Sequence, residues 1–485
     1  MVYLTGAGTG DKSLITVKGL ECIKKADVII FDRLISLSLL NAAPADCRLI
    51  YAGKKAGNHY LKQEETNELI VKFAREGKTV VRLKGGDPTV FGRGGEEAQY
   101  LAERGIQFEL VPGVSSCYGA AEYAGIPVTH RSCASSFHVI TGHEVSDRVD
   151  YSYLAKIEGT LVFMMGLKSL SDISKKLIEN GKDKDTPAAV VSNGSRPYQK
   201  CVTGTLFDIS EKAKGLLSPA VTIIGEVVNE REEWFKTDGE LNGVKVFSTA
   251  LKGFSDNLRA ELEKRGGEMI ELSLIKTTAV NFDMFKKTNL SEFTHIVFSS
   301  ARGVEVFFDY LAKAKKDMRE LCDIKFAVVG EKTAQVLKNH GIYADLMPEK
   351  ADGKSLSLLL ECELKENDNV LLLKSEQSAD TIKNTLEKIG VKYTDLPIYR
   401  TETNHNRAEA ARLCAQDADY VVFASSSAAR AYAEFECKGK KCISIGSSTT
   451  EAAEELGLKI CKTAKTPCAA DVVQCIIDDL EEAAK

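Results

Sequence analysis

Three glycine-rich stretches in the first half of the chain have the composition of ligand loops. Gly6-Ala7-Gly8-Thr9-Gly10-Asp11 follows the apolar run Val2-Tyr3-Leu4 and precedes a helical stretch. The second is denser: Arg82-Leu83-Lys84-Gly85-Gly86-Asp87-Pro88 continues into Phe91-Gly92-Arg93-Gly94-Gly95-Glu96-Glu97. The third is Val111-Pro112-Gly113-Val114-Ser115-Ser116. Lacking a Cβ, such loops let main-chain N–H groups close on a ligand, and loops at successive strand ends of an α/β sheet meet in one crevice. A shared ligand is therefore expected. The first loop reads G-x-G-x-G, not the dinucleotide fingerprint G-x-G-x-x-G, although Asp32 at a following strand end imitates the ribose-binding acid of that motif. In the second half the recurring chemistry is hydroxyls at strand ends: Ser299, Ser300, Thr333, Ser425, Ser426 and Thr449, together with Tyr399. Each could cap a helix. Their recurrence is read instead as carboxylate binding, assisted by N–H groups at helix starts. That half offers no Ser-His-Asp set, paired carboxylates or Cys-His nucleophile.

Charge narrows the ligand class. The 485 residues carry 64 basic and 69 acidic side chains, and residues 1–240 are nearly neutral with 30 against 31. Residues 33–93, however, hold 11 basic and 6 acidic groups, with Arg33, Lys54, Lys55, Lys84 and Arg93 beside the loops. A local basic lining in a neutral domain fits an acidic small molecule and speaks against nucleic acid. With 44% hydrophobic and 27% charged residues the chain reads as soluble and globular. No uncharged stretch is long enough to span a bilayer, and the strand at Val2 leaves no room for a signal peptide. Thirteen cysteines without a C-x-x-C pair fit reduced thiols in a cytoplasmic protein. His59, His130, His138 and His143 lack metal-ligand spacing, so no metal is expected.

The elements that must hold these loops alternate between β-branched runs and amphipathic helices, the α/β pattern. Ala26–Phe31 and Thr79–Leu83 read as strands and Glu64–Glu76 as a helix, with Leu69, Ile70 and Phe73 on its apolar face. Charge and turn dipeptides at residues 229–243 mark a boundary, giving domains 1–240 and 241–485. The second domain repeats itself. Val246–Ile275 is echoed by Val370–Ile398, Phe298-Ser299-Ser300 by Phe423-Ala424-Ser425, and Val329-Gly330 by Ile445-Gly446. Two similar α/β lobes around a cleft are expected.

The first-half loops, with Phe31-Asp32-Arg33-Leu34 and Ala124-Gly125-Ile126-Pro127-Val128-Thr129-His130-Arg131, resemble uroporphyrinogen-III C-methyltransferase over nearly all of residues 1–240. The resemblance implies the tetrapyrrole methylase fold of two α/β subdomains with S-adenosylmethionine between them. It also implies methylation of uroporphyrinogen III at C2 and C7 to precorrin-2. It sets the cofactor against Thr9, Gly85, Gly86, Asp87, Val90, Ser115, Ser116, Met165, Gly194 and Ala220. Asp32 falls on the family's proposed proton acceptor and Lys54 on its proposed donor. The family usually has proline where Thr9 stands; threonine relaxes the turn, and a tuned cofactor affinity is expected. A homodimer through this half is also implied.

The second half resembles uroporphyrinogen-III synthase through Phe298-Ser299-Ser300, Val329-Gly330-Glu331-Lys332-Thr333-Ala334, Pro397-Ile398-Tyr399, Val422-Phe423-Ala424-Ser425 and Ile445-Gly446-Ser447-Ser448-Thr449. That family closes hydroxymethylbilane to uroporphyrinogen III with inversion of ring D. Lobes of roughly 243–275 with 400–485, and 276–399, are implied. Tyr399, on the segment between them, is the candidate for assisting departure of the hydroxyl. Ala250 and Ser273 stand where the family often has arginine and proline. The product of the second half is the substrate of the first, so a bifunctional enzyme on the way to siroheme or cobalamin is expected. Two alternatives stand beside it: a later precorrin methylase with a non-catalytic tetrapyrrole-binding C-terminal half, and a NAD-dependent Rossmann dehydrogenase. Gly85-Gly86-Asp87-Pro88 and the glycine spacing argue against the latter.

Overall fold

A computed structural model describes residues 1–53, 62–143, 149–250, 254–438 and 441–484. Strands β1 (Val2–Gly6), β2 (Val28–Phe31), β3 (Arg48–Tyr51), β4 (Val80–Lys84) and β5 (Phe108–Val111) form a parallel sheet in the order β3-β2-β4-β1-β5. Every residue of β2 and β4 is buried, as expected of central strands covered on both faces. Arg82 and Lys84 alternate along β4 and so share a face, which obliges the fold to find partners for two buried cations. The helix Gln63–Arg75 covers the sheet with Ile70 and Phe73 buried and Leu69 half-buried. Because β4 lies between β1 and β2, the sheet lacks the β2–β1 adjacency of a dinucleotide-binding fold. The dehydrogenase reading fails on topology.

Strands β6 (Phe137–Thr141), β7 (Thr160–Met164), β8 (Pro187–Ser192), β9 (Lys200–Thr205) and β10 (Ala220–Ile224) make a second, mixed sheet ordered β6-β7-β10-β8-β9. Ala120, Ala121 and Cys117 of the helix Ser116–Tyr123 pack with Val162, Val191 and Ile223 of this sheet.

The remaining strands are β11 (Lys245–Ser248), β12 (Glu268–Glu271), β13 (Ile275–Ala279), β14 (His295–Phe298), β15 (Lys325–Val328), β16 (Asn369–Ser375), β17 (Lys392–Thr403), β18 (Tyr420–Phe423), β19 (Lys441–Ser444) and β20 (Ile460–Thr463). They form two sheets, β12-β11-β18-β19-β20 and β13-β17-β16-β14-β15. The internal repeat is visible in backbone angles. Ser300 (φ −166°, ψ 155°) and Ser425 (φ −165°, ψ 155°) cap the helices Ala301–Ala314 and Ser426–Glu434. The chain divides into two compact units, one of Met1–Leu274 with Asn404–Lys485 and one of Ile275–Thr403. The first unit thus takes in both methylase-like sheets and one synthase-like sheet. All thirteen cysteines are free, and no helix among the described residues is long and apolar enough to cross a membrane.

Candidate active sites

The three glycine loops lie at the carboxyl ends of the adjacent strands β1, β4 and β5, and they interlock through backbone. Gly8 and Gly86 exchange hydrogen bonds of 3.2 and 2.8 Å, and the Ala7 N–H donates to Lys84 O at 2.8 Å. A Cβ on Gly113 would stand 2.3 Å from Gly86 O and 2.8 Å from Gly6 Cα, and one on Gly6 would stand 2.6 Å from Gly86 O. Neither Gly6 nor Gly113 has room for a side chain, and Gly86 holds a left-handed conformation (φ +69°) that favours glycine. Asp87 fixes the arrangement: Oδ1 accepts from Thr89 N–H, the Thr89 hydroxyl and Val90 N–H at 2.8, 2.6 and 3.2 Å, and Oδ2 from Gly113 N–H at 3.0 Å. Burial opposes its charge, but these hydrogen bonds outweigh it and hold the carboxyl below its usual range. Asp87 is therefore a loop-former as well as a candidate cofactor contact.

The second subdomain is bolted to the first loop. Gly194 leaves no room for a Cβ against Ala120, the Ser195 hydroxyl donates to Thr9 O, and Asp11 N–H donates to Ser195 Oγ at 3.1 Å. Thr9 is buried, as is Ser115, whose hydroxyl accepts at the start of the helix bearing Ser116. Val90 reaches the core shared by that helix and the second sheet. Met165 follows β7 in a left-handed conformation (φ +58°) with its side chain exposed. Ala220 opens β10, paired with Ser192 of β8.

Asp32 directly follows β2, and its Oδ1 accepts the Leu34 N–H at 3.1 Å. A Cβ on Gly85 would lie 2.6 Å from Leu34 Cβ, so the Asp32 turn and the second glycine loop are packed together. Asp32 Oδ2 is 3.7 Å from the Arg82 guanidinium. Beneath it lies a network that the sequence reading did not single out. Glu97, 1% exposed, accepts on Oε1 from Arg82 Nε at 3.1 Å, Lys84 Nζ at 3.0 Å and Gln63 Nε2 at 3.0 Å. Burial pushes Glu97 up, but Arg82 and Lys84 more than offset this and hold it below the carboxylate range. Burial, and then the neighbouring Arg82, pulls Lys84 below the usual lysine range. The i, i+2 spacing of Arg82 and Lys84 in a strand was the available signal. Lys54 lies outside the described residues.

His130, Cys133 and Glu230 bring potential metal-ligand atoms within 4.8 Å of one another, with His130 and Glu230 exposed. Glu230 is remote in sequence, so histidine spacing alone could not reveal this grouping.

In the synthase-like half, Ser300 and Ser425 spend their acceptor capacity as caps, on Gly303 N–H at 3.1 Å and Ala428 N–H at 3.2 Å. The capping duty set aside in the sequence reading is thus occupied at both positions. Ser299 Oγ, in contrast, is buried without a hydrogen-bond partner among the described residues. Thr333 and Thr449, each the third residue of its helix, are buried, and the Ser426 hydroxyl donates to Ser448 O at 3.3 Å. Tyr399 is not on a free connecting segment. β17 runs on to Thr403 because it pairs with β16 on one side and β13 on the other, and this buries Tyr399 in the core. Its hydroxyl and that of Ser300 are 2.7 Å apart.

The family model described as Tetrapyrrole (Corrin/Porphyrin) Methylases matches residues 1–210, and that described as Uroporphyrinogen-III synthase HemD matches residues 256–474. The chain is 37% identical over 475 residues to the porphyrin biosynthesis protein HemD of Ruminiclostridium josui, covering 94% of each. It is 51% identical over 233 residues to a uroporphyrinogen-III C-methyltransferase of Methanocaldococcus jannaschii, covering 47% of this chain and 96% of that protein. The crystal structure of uroporphyrin-III C-methyltransferase from Thermus thermophilus, complexed with S-adenosylhomocysteine, aligns with 47% of this chain and 98% of that one at 39% identity and a TM-score of 0.42.

Proposed function

The chain belongs to the tetrapyrrole methylases through its N-terminal half and to the uroporphyrinogen-III synthases through its C-terminal half, and from that premise we propose two linked reactions. The C-terminal half closes hydroxymethylbilane to uroporphyrinogen III with ring D inverted. The N-terminal half then transfers methyl groups from S-adenosylmethionine to C2 and C7, giving precorrin-2. The observation that carries the second step is the backbone-only junction of Gly6, Gly86 and Gly113 beside the Asp32 turn.

The junction suits a cofactor that must be approached by main chain, with Thr9, Gly85, Gly86, Asp87, Val90, Ser115, Ser116, Met165, Gly194 and Ala220 as the proposed contacts. Bound there, S-adenosylmethionine supplies an electrophilic methyl group on a sulfonium, so the protein's share is mainly positioning. Asp32 accepts the proton that the alkylated pyrrole must lose, with the Arg82 guanidinium 3.7 Å from its carboxylate. Lys54 remains the proposed donor. In the other half the proposed carboxylate contacts are Ser299, Ser300, Thr333, Ser425, Ser426 and Thr449. The uncommitted hydroxyl of Ser299 favours that role most, and the caps Ser300 and Ser425 least. Tyr399, already hydrogen-bonded, is the proposed aid to hydroxyl departure. The protein acts in the cytoplasm, and as a dimer through its methylase half.

The test supplies the intact chain with hydroxymethylbilane, with and without S-adenosylmethionine, and resolves porphyrin isomers and methylation. Type III product that gains two methyls only with the cofactor is expected. Type I product alone would overturn the synthase assignment, and type III that stays unmethylated would overturn the methyltransferase one.

A further inference from the structure

Strand β3 is an edge of the first sheet, and β12 is an edge of the third. An edge strand leaves one row of main-chain groups to be satisfied elsewhere. Within the first compact unit each edge is closed by a segment from the other half of the chain. On the β12 side, the short helix Leu37–Ala42 presents Ser38 and Asn41. The Ser38 hydroxyl donates to Met269 O and accepts from Glu271 N–H, both at 3.0 Å. Asn41 donates to the Glu271 carboxylate at 2.9 Å and accepts from Ser273 N–H at 3.0 Å.

On the β3 side the donors and acceptors come from residues 404–409. Asn404, 1% exposed, donates from Nδ2 to Ala45 O at 2.9 Å. Arg407, 5% exposed, donates to Asn41 Oδ1 at 3.0 Å, Ala43 O at 3.0 Å and Ser273 O at 3.2 Å. A Glu409 carboxylate oxygen accepts the outward N–H of Tyr51 at 3.4 Å. The segment so held, residues 36–51, begins two residues after the Asp32–Leu34 turn and ends in Tyr51, whose ring lies 5.6 Å from that of Phe31, next to Asp32. The hydrogen bonds of Asn404 and Arg407 go to Asn41, Ala43, Ala45, Ser273 and Leu274, and none among the described residues goes to Gly6, Gly86 or Gly113. Burying a guanidinium costs several kcal/mol unless its hydrogen bonds are met. Two of the three guanidinium hydrogen bonds of Arg407 go to this segment, at Asn41 and Ala43, and the third goes to Ser273 O.

We propose that Arg407, assisted by Asn404 and Glu409, is a positioning residue for methyl transfer contributed by the synthase half: it holds the Asp32 flank of the methylase site in its working shape. This rests on the methyltransferase reading above. It makes the methylase site of this chain incomplete without residues 404–409.

The test uses the full chain and uroporphyrinogen III supplied directly, so that cyclisation is bypassed. Arg407→Ala is expected to lower kcat/KM for uroporphyrinogen III about tenfold, the scale of a small misplacement near the reacting groups. The stoichiometry and Kd of S-adenosylhomocysteine should stay as in wild type. Arg407→Lys, which keeps a charge but loses the fork, should recover only part of the loss. Glu409→Gln, a milder change on the same segment, should lower kcat/KM in the same direction and guards against an Arg407→Ala chain that does not fold. Methylation at the wild-type rate in folded Arg407→Ala, or in Glu409→Gln should Arg407→Ala not fold, would overturn the proposal. A loss of rate matched by lost S-adenosylhomocysteine sites would also overturn it, since that marks unfolding. A wild-type chain that binds S-adenosylhomocysteine yet never methylates uroporphyrinogen III would instead overturn the methyltransferase reading, and this proposal with it.

Discussion

Glu97→Gln should expose how much of the methylase half is held by charge in its interior. The substitution preserves shape but removes the negative charge to which Arg82 and Lys84 are bonded at 3.1 and 3.0 Å, in a site only 1% exposed. Arg82 keeps Asp32 at 3.7 Å, but leaving buried Lys84 without its counter-charge costs about 3–5 kcal/mol. Urea unfolding followed by Trp234, the single tryptophan, reports on this half because its indole donates to Glu122 O at 2.8 Å. The midpoint should fall by about 1 M or more at pH 7. The pH dependence has a definite sign. Lys84 already titrates below its ordinary value in the folded state, so folding releases protons between its folded and unfolded pKa, and stability rises with pH across that window. Without Glu97 the folded value drops further and the window widens downwards. The deficit of the variant should therefore shrink between pH 7 and pH 10. In the wild type Glu97 contributes fully above the ordinary carboxylate range, and that contribution is lost as pH falls through its depressed folded value. A deficit under about 1 kcal/mol, or one that does not change with pH, would refute the reasoning.

Asp32→Asn should abolish methylation and leave cyclisation intact, read by isomer analysis of the porphyrins; loss of both would contradict separate sites. Gly113→Ala forces a methyl to within 2.3 Å of Gly86 O and should weaken S-adenosylhomocysteine binding about tenfold or more, measured by calorimetry. Tyr399→Phe removes the 2.7 Å hydrogen bond to Ser300, worth about 1 kcal/mol in stability. If Tyr399 assists hydroxyl departure, synthase kcat falls about a hundredfold, whereas a drop below tenfold marks a packing role.

Local chemistry was legible in the sequence where neighbours in the chain are neighbours in space. Gly85-Gly86-Asp87-Pro88 announced a loop whose carboxylate folds back on Thr89 and Val90. The repeat announced two matching turns, and Ser300 and Ser425 differ by only a degree in φ. What stayed hidden needed distance. Glu97 reads as one acid in a charged helix start until β4 turns Arg82 and Lys84 toward it. Arg407 and Asn404 look like surface residues, and their partners lie 366 and 359 residues away. The hydroxyls are ambiguous for a simpler reason. A serine before a helix has the same signature whether it caps or binds, and the cap becomes visible only in the structure, where Gly303 N–H lies 3.1 Å from Ser300 Oγ.

The reciprocal closure of β3 and β12 also sets a timetable for biosynthesis. Tyr51 and the Glu409 that accepts its N–H are 358 residues apart. At about 5–20 residues per second, β3 waits on the order of 20–70 s before its cover emerges from the ribosome. During that interval the methylase half presents a bare strand edge, and nascent chains on one messenger carry the same edge side by side. Slowing elongation downstream of the methylase half should therefore increase co-translational aggregation. Supplying residues 404–485 sooner, by circular permutation, should reduce it.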